Sequence, residues 1–157
     1  MFHTSLEGQM IAAVKDTVRN WRRYLHQNPE LSFQEEKTSQ FVYDELISFG
    51  GLTVTRPTKT SVVASLMGSQ PGKVLGLRAD MDALPIHEEN NMDYTSGNFG
   101  VMHACGHDGH TAMLLGAAKV LTQMKDEIKG EVRFIFQHAE ELPPGGAQEL
   151  VKSRSCR

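Results

Sequence analysis

Residues 102–110, Met-His-Ala-Cys-Gly-His-Asp-Gly-His, bring one thiol, three imidazoles and one carboxylate into nine positions. Thiolate and imidazole suit zinc and its neighbours, and a nearby cation is what keeps a thiol deprotonated at neutral pH. Cys105 and His107 stand two apart around Gly106, whose missing side chain lets both donors turn toward one centre. A lone histidine is usually a packed or exposed residue, but four ligand-type residues within 105–110 shift the balance to metal for Cys105 and His107. His103 and His110 are not counted as ligands, since His110 lies near a first helical turn and can pack or hydrogen-bond locally. Asp108 has a metal-free alternative as N-cap of the following helix. The rival chemistry is a thiol nucleophile activated by imidazole, for which no oxyanion-hole signature is present.

Two further acid-rich segments could supply the remaining donors. Asp80 and Asp82 share a face of an extended chain; they form either a turn and ion-pair network with Arg78 or, for Asp82, an acceptor behind a metal-bound imidazole. Glu140 and Glu141 are either solvated loop charges or a pair that divides labour, one binding a metal and the other moving a proton. The Pro-Pro-Gly-Gly at 143–146 fixes a turn beside them.

The elements that position these groups alternate along the chain. Met10, Val14, Val18, Trp21, Tyr24 and Leu25 recur at helical spacing over 6–27, and Asn28-Pro29-Glu30 ends that helix. Residues 32–35, Ser-Phe-Gln-Glu, have the form of a capping box opening a second helix that Gly50-Gly51 stops. Strands are expected at 52–55, 61–67, 73–79 and 131–137, the third covered on both faces, with a loop at 68–72 and a nearly all-apolar helix over 111–124. This order predicts an α/β layered domain. In such folds strand C-termini and helix N-termini open into one crevice, so the three polar segments can converge there.

With 157 residues and 39% hydrophobic content, the chain is long enough for one ordinary core. A net charge of −3 with scattered basic residues implies neither nucleic acid nor membrane as a partner. Two cysteines argue against a disulfide framework, and the N-terminus lacks the pattern of a secretory leader, so the expected location is cytoplasmic.

Four segments carry a resemblance: Arg22-Arg23-x-x-His26-Gln27-x-Pro29-Glu30-Leu31-Ser32, Leu77-Arg78-Ala79-Asp80-Met81-Asp82-Ala83-Leu84-Pro85, Met102-His103-Ala104-Cys105-Gly106-His107-Asp108-x-His110 and Phe136-Gln137-x-Ala139-Glu140-Glu141. In this order they resemble the signatures of the amidohydrolase branch of the aminoacylase and carboxypeptidase type of dinuclear metallopeptidases. That group includes N-acyl-amino-acid amidohydrolases, hippurate hydrolases and auxin-conjugate hydrolases. The resemblance implies a catalytic domain of the dinuclear zinc-peptidase type and hydrolysis of an amide bond in an N-acyl amino acid or dipeptide substrate. It implies two divalent metal ions, zinc, manganese, cobalt or nickel, with Cys105 as a bridging thiolate and His107 and Glu141 as ligands. It makes Glu140 the general base and acid, and gives Asp82 a catalytic supporting role behind a ligand. Asp80 stands where the wider superfamily has the histidine of His-x-Asp.

The family pattern also has two later metal-binding histidines, a lid and dimerisation domain and further sheet strands. The expectation is therefore that 1–153 is the N-terminal part of an incomplete catalytic domain, with homodimers expected only of the full-length homologue. Residues 154–157, Arg-Ser-Cys-Arg, read as an atypical tail from a truncated or shifted frame, with Cys156 incidental. The alternative function is a catalytically inactive, metal-binding remnant of such an enzyme.

Overall fold

The first helix, α1, runs Leu6–Gln27, with the Ser5 hydroxyl accepting the Gly8 N–H at its start. Its buried stripe is Val14, Trp21, Leu25 and His26, the helical spacing of the sequence. This is a computed structural model, and it describes residues 5–153; the tail at 154–157, with Cys156, lies outside the described residues. After α1 come α2 (Glu36–Phe49), β1 (Thr53–Thr55), β2 (Val62–Met67), β3 (Gln70–Asp80), α3 (His107–Gln123), a short 3₁₀ turn, β4 (Lys129–Gln137) and α4 (Ala147–Lys152).

The four strands form one mixed sheet in the order β1-β2-β4-β3. β2 is antiparallel to β1 and β4, and β3 is parallel to β4. The register places Ala64 opposite Phe134 and Val62 opposite Phe136, and sets Leu77 and Ala79 beside the same two phenylalanines. Side chains alternate along a strand, so these residues share one face, and α1, α2 and α3 cover it with Trp21, Leu25, Leu46, Ala112 and Leu115. This is the α/β layered arrangement that the sequence implied. No helix among the described residues is long and apolar enough to cross a membrane.

Three local expectations are corrected. Among the described residues β3 is an edge strand that pairs only with β4, and it is not covered on both faces: Val74 and Leu75, neighbours whose side chains point to opposite faces, are each 56% exposed. The expected loop at 68–72 is mostly absorbed into β3, which starts at Gln70. The capping box does not form. Ser32 turns its hydroxyl to Asp82, and Glu30 instead receives the N–H groups of Lys37 and Thr38 at the start of α2. A carboxylate there satisfies unpaired amides and complements the helix dipole as a capping box would.

Between β3 and α3 the chain runs 26 residues, 81–106, without a named element. Backbone pairings hold it: Ala83 N–H to Glu30 C=O, a Leu84–Met102 bridge, and Gly97 N–H to Gln27 C=O. The α1–α2 connection thus serves as a seat for the loop that delivers Cys105.

Candidate metal centre

β3 ends at Asp80, and the Met81 N–H still donates to the Gln137 carbonyl, so the chain stays beside β4 as it enters the crevice. Asp82 follows, with its side chain buried. Its Oδ2 accepts the Ser32 hydroxyl at 2.6 Å and the Glu141 N–H at 2.9 Å. Burial alone would raise this carboxyl, but hydrogen bonds from His107, Ser32 and the Glu140–Glu141 backbone outweigh it and hold Asp82 well below the usual carboxylate range.

α3 begins four residues earlier than the sequence pattern suggested, at His107, after Gly106 in the left-handed region at φ +92°. A glycine adopts that conformation without penalty, and the turn it makes separates Cys105 from the helix while leaving His107 in its first turn. Asp108 is not the N-cap that was one reading of it. It is buried in the first turn, where its Oδ2 receives Arg22 Nε at 2.9 Å and His26 Nδ1 at 2.7 Å. His26 Nε2 in turn lies 3.1 Å from Glu88 Oε1, which ties α1, the long loop and α3 together beneath the cluster.

His107 Nδ1 is 2.9 Å from the Asp82 carbonyl oxygen and 3.3 Å from its Oδ1. A carbonyl only accepts, so Nδ1 carries hydrogen and Nε2 is the nitrogen left with a lone pair in the neutral ring. Nε2 faces Glu141 Oε1 at 3.8 Å and Glu140 Oε2 at 3.9 Å. The hydrogen bond to Asp82, with the nearby acids, pushes His107 up to about 9 despite its burial. The Cys105 thiol is exposed and is also pushed up, first by the Glu141 side chain beside it, then by burial and the other surrounding carboxylates. Those neighbours oppose a thiolate unless a cation joins them, which argues against an imidazole-activated thiol nucleophile.

One donor atom each from Cys105, His107 and Glu141 lies within 4.8 Å of the others. Glu141 Oε1 is buried and has no hydrogen-bond partner, an expensive arrangement for a charged oxygen unless something positive sits beside it. Metal–sulfur and metal–nitrogen bonds of roughly 2.0–2.3 Å would draw such a cluster only slightly closer. The donor set therefore fits a divalent cation.

The other candidates fall into place around this cluster. Glu140 stands beside it with a 44% exposed side chain. Asp80 accepts Arg78 Nη2 at 2.6 Å at the margin, and burial raises its carboxyl. His110 is exposed outside the cluster. His103 is buried with neither ring nitrogen partnered, and burial pushes it down to about 4. Ser32, Glu35 and the Arg22–His26–Asp108 network make buried contacts around this cluster that residue-type reasoning missed; Arg22, His26 and Ser32 stood within the first motif, but nothing local linked them to residues far along the chain.

The model of peptidase family M20/M25/M40 matches residues 76–157. An N-acyl-L-amino acid amidohydrolase of Geobacillus stearothermophilus is 65% identical over 145 residues, which are 92% of this chain and 39% of that protein. Thermostable carboxypeptidase 2 of Saccharolobus solfataricus is 45% identical over 146 residues, 91% of this chain and 37% of that protein. The solved structure of Bacillus subtilis YXEP, described as a dinuclear metal binding peptidase, superposes with a TM-score of 0.88 at 42% identity, covering 93% of this chain and 41% of that one. The chain thus spans about two fifths of the length of these relatives, and belongs to peptidase family M20/M25/M40.

Proposed function

We propose that residues 1–153 form the N-terminal part of the catalytic domain of a metal-dependent amidohydrolase acting on N-acyl amino acids or related peptide-like substrates. The relatives' names support the substrate class: one is an N-acyl-L-amino acid amidohydrolase and another a carboxypeptidase. The observation that carries the metal reading is the buried, unpartnered Glu141 Oε1 beside a His107 nitrogen whose ring is already oriented by Asp82. Cys105, His107 and Glu141 would hold a divalent cation, one of two, drawn from zinc, manganese, cobalt or nickel. Bound there, cations supply Lewis acidity toward the scissile carbonyl and lower the pKa of water.

The remaining chemistry belongs to the chain. Glu140 is exposed enough to meet substrate and close enough to His107 to share its site. Its carboxylate takes a proton from the attacking water and returns it to the leaving amine, so the group ends as it began. Asp82 fixes the His107 ring through its main-chain carbonyl, which accepts from Nδ1, and the Glu141 backbone through its carboxylate Oδ2, holding two donors in register.

A second reading, metal binding without turnover, draws on the donor count. The described residues offer three clustered donors, whereas a tetrahedral ion takes four ligands. Hydrolysis of N-acetyl amino acids by the purified chain, with zinc, manganese, cobalt or nickel added, separates the two. Turnover that Glu140→Gln abolishes while cobalt stays bound supports the amidohydrolase; bound cobalt without turnover supports the second reading. Turnover indifferent to chelators but blocked by thiol alkylation would sink both.

A further inference from the structure

Glu35 is fully buried, yet nothing in the proposed chemistry uses it. Its Oε1 accepts the N–H of Phe33 at 3.0 Å and the N–H of Ala139, 104 positions away, at 2.7 Å. Its Oε2 accepts the Thr60 hydroxyl at 3.0 Å. Ala139 is itself unusual, with φ at +47° in the left-handed region that residues with a Cβ avoid. The residue after it is Glu140.

The loop is held on both sides of that glutamate. The Ala139 N–H ends on Glu35, and the Glu141 N–H ends on Asp82. Ala139 C=O accepts the Gly146 N–H at 2.9 Å, and a Cβ at 146 would stand 2.1 Å from the His138 carbonyl oxygen, so the loop closes without slack. Charge-assisted bonds to two separate backbone amides are what would hold a strained residue in place.

The geometry points to Glu35 as a positioning residue for Glu140 and Glu141: by holding Ala139 left-handed, it sets the direction in which both carboxylates leave the end of β4. What those carboxylates then do rests on the metal-centre reading above; where they stand does not. A carboxylate suits the task because it only accepts, and three donors converge on it. Glutamine can keep the pattern, since its carbonyl can take both amides and its NH₂ can donate to the Thr60 hydroxyl. Alanine leaves all three donors without an acceptor.

The test uses the full chain with cobalt as the probe, read by thiolate-to-cobalt absorption, together with amide hydrogen exchange on the metal-free protein. Glu35→Ala is expected to lower cobalt affinity about 10- to 100-fold, the usual loss for a support behind a ligand. It should also strip exchange protection from Ala139 and Glu141 while Phe134 and Phe136 in β4 keep theirs. Glu35→Gln should stay close to the wild type in both. Adding Ala139→Gly to Glu35→Ala should recover part of the affinity, because glycine adopts positive φ without strain; a residue that merely stabilises the fold predicts no such rescue. Should the alanine variant not fold, Glu35→Asp, shorter by one methylene, should show the same losses.

Unchanged affinity and unchanged exchange at Ala139 in Glu35→Ala would overturn the assignment. So would a loss of protection spread evenly through the sheet with no recovery from Ala139→Gly. A wild-type chain that binds no cobalt removes the metal reading instead, and exchange at Ala139 then decides Glu35 alone.

Discussion

His107 leaves the first turn of α3 with 5% of its side chain exposed, whereas Glu140 leaves the loop after β4 with 44% exposed. The first side of the centre is anchored by side chains: Asp82 grips the imidazole, and Arg22 and His26 grip the neighbouring Asp108. The second is anchored by backbone, its amides ending on Glu35 and Asp82 while the Glu140 carboxylate stays in solvent. A metal ligand gains from immobility, since each ordered donor lowers the entropy lost on binding. A group that must meet water and pass a proton gains from access. Stability should therefore be concentrated on the helix side and proton chemistry on the loop side.

The largest expected difference is Asp108→Ala. It removes the acceptor of both Arg22 Nε and His26 Nδ1 in a buried setting, and breaking such a pair costs about 3–5 kcal/mol. Urea unfolding of the metal-free chain measures it. A cost under about 1 kcal/mol, the range of exposed ion pairs, would mean that the helix side is not the rigid one.

Next comes pH. His107 stands near 9 in the folded chain against 6.5 when unfolded, so the metal-free fold gains stability that is fully present below pH 6.5 and fades as pH rises through about 9. At 1.36 kcal/mol per pH unit the whole fall is roughly 3 kcal/mol. His103 works in the opposite sense. Burial lowers it to about 4, so its contribution is present above 6.5 and is lost as pH falls toward 4. Urea midpoints across pH 4–10 should peak near 6.5 in chelator. A cation bound at Nε2 competes with the proton on His107, so added zinc should flatten the alkaline fall. An alkaline fall that zinc leaves untouched would detach it from His107.

How much of this was legible in the sequence follows the same division. The amphipathic α1, the β-rich runs and the Cys105–His107 cluster are local patterns, and local patterns survive reading without a structure. The supports are not local. Ser32 and Glu35 have the spacing of a capping box, and only folding reveals that Asp82 and Ala139 arrive as better partners for them than the α2 amides. β3 misled for a related reason: its apolar run suggests cover on both faces, but its neighbours in the sheet are a matter of topology. Asp108 likewise carries the signature of a cap and is taken instead by residues more than eighty positions earlier.

Ser32→Ala should have a smaller effect than Asp108→Ala. It deletes one hydrogen bond, at 2.6 Å, to an Asp82 oxygen that keeps the Glu141 N–H. Hydrogen bonds to charged groups are worth about 1.5–3 kcal/mol, and the surviving donor places the loss near the lower end. Because Asp82 spans both sides of the centre, cobalt affinity should fall along with stability. A stability loss with cobalt affinity unchanged would show that Asp82 serves the fold and not the ligands.

The smallest effect on the fold should come from the residue with the largest proposed role in the chemistry. Glu140 lies 3.9 Å from His107 Nε2, beyond hydrogen-bonding distance, and its side chain is nearly half exposed. Surface substitutions of that kind fall within about 0.5 kcal/mol. Glu140→Ala should therefore leave the urea midpoint close to the wild type, while a general base of this kind contributes about 10²- to 10⁴-fold in rate wherever turnover is measurable. The paired measurement is what tests the division between the two sides. If Glu140→Ala unfolds the chain as Asp108→Ala is expected to, the loop is as much a part of the scaffold as the helix, and its exposure is not the sign of a working group.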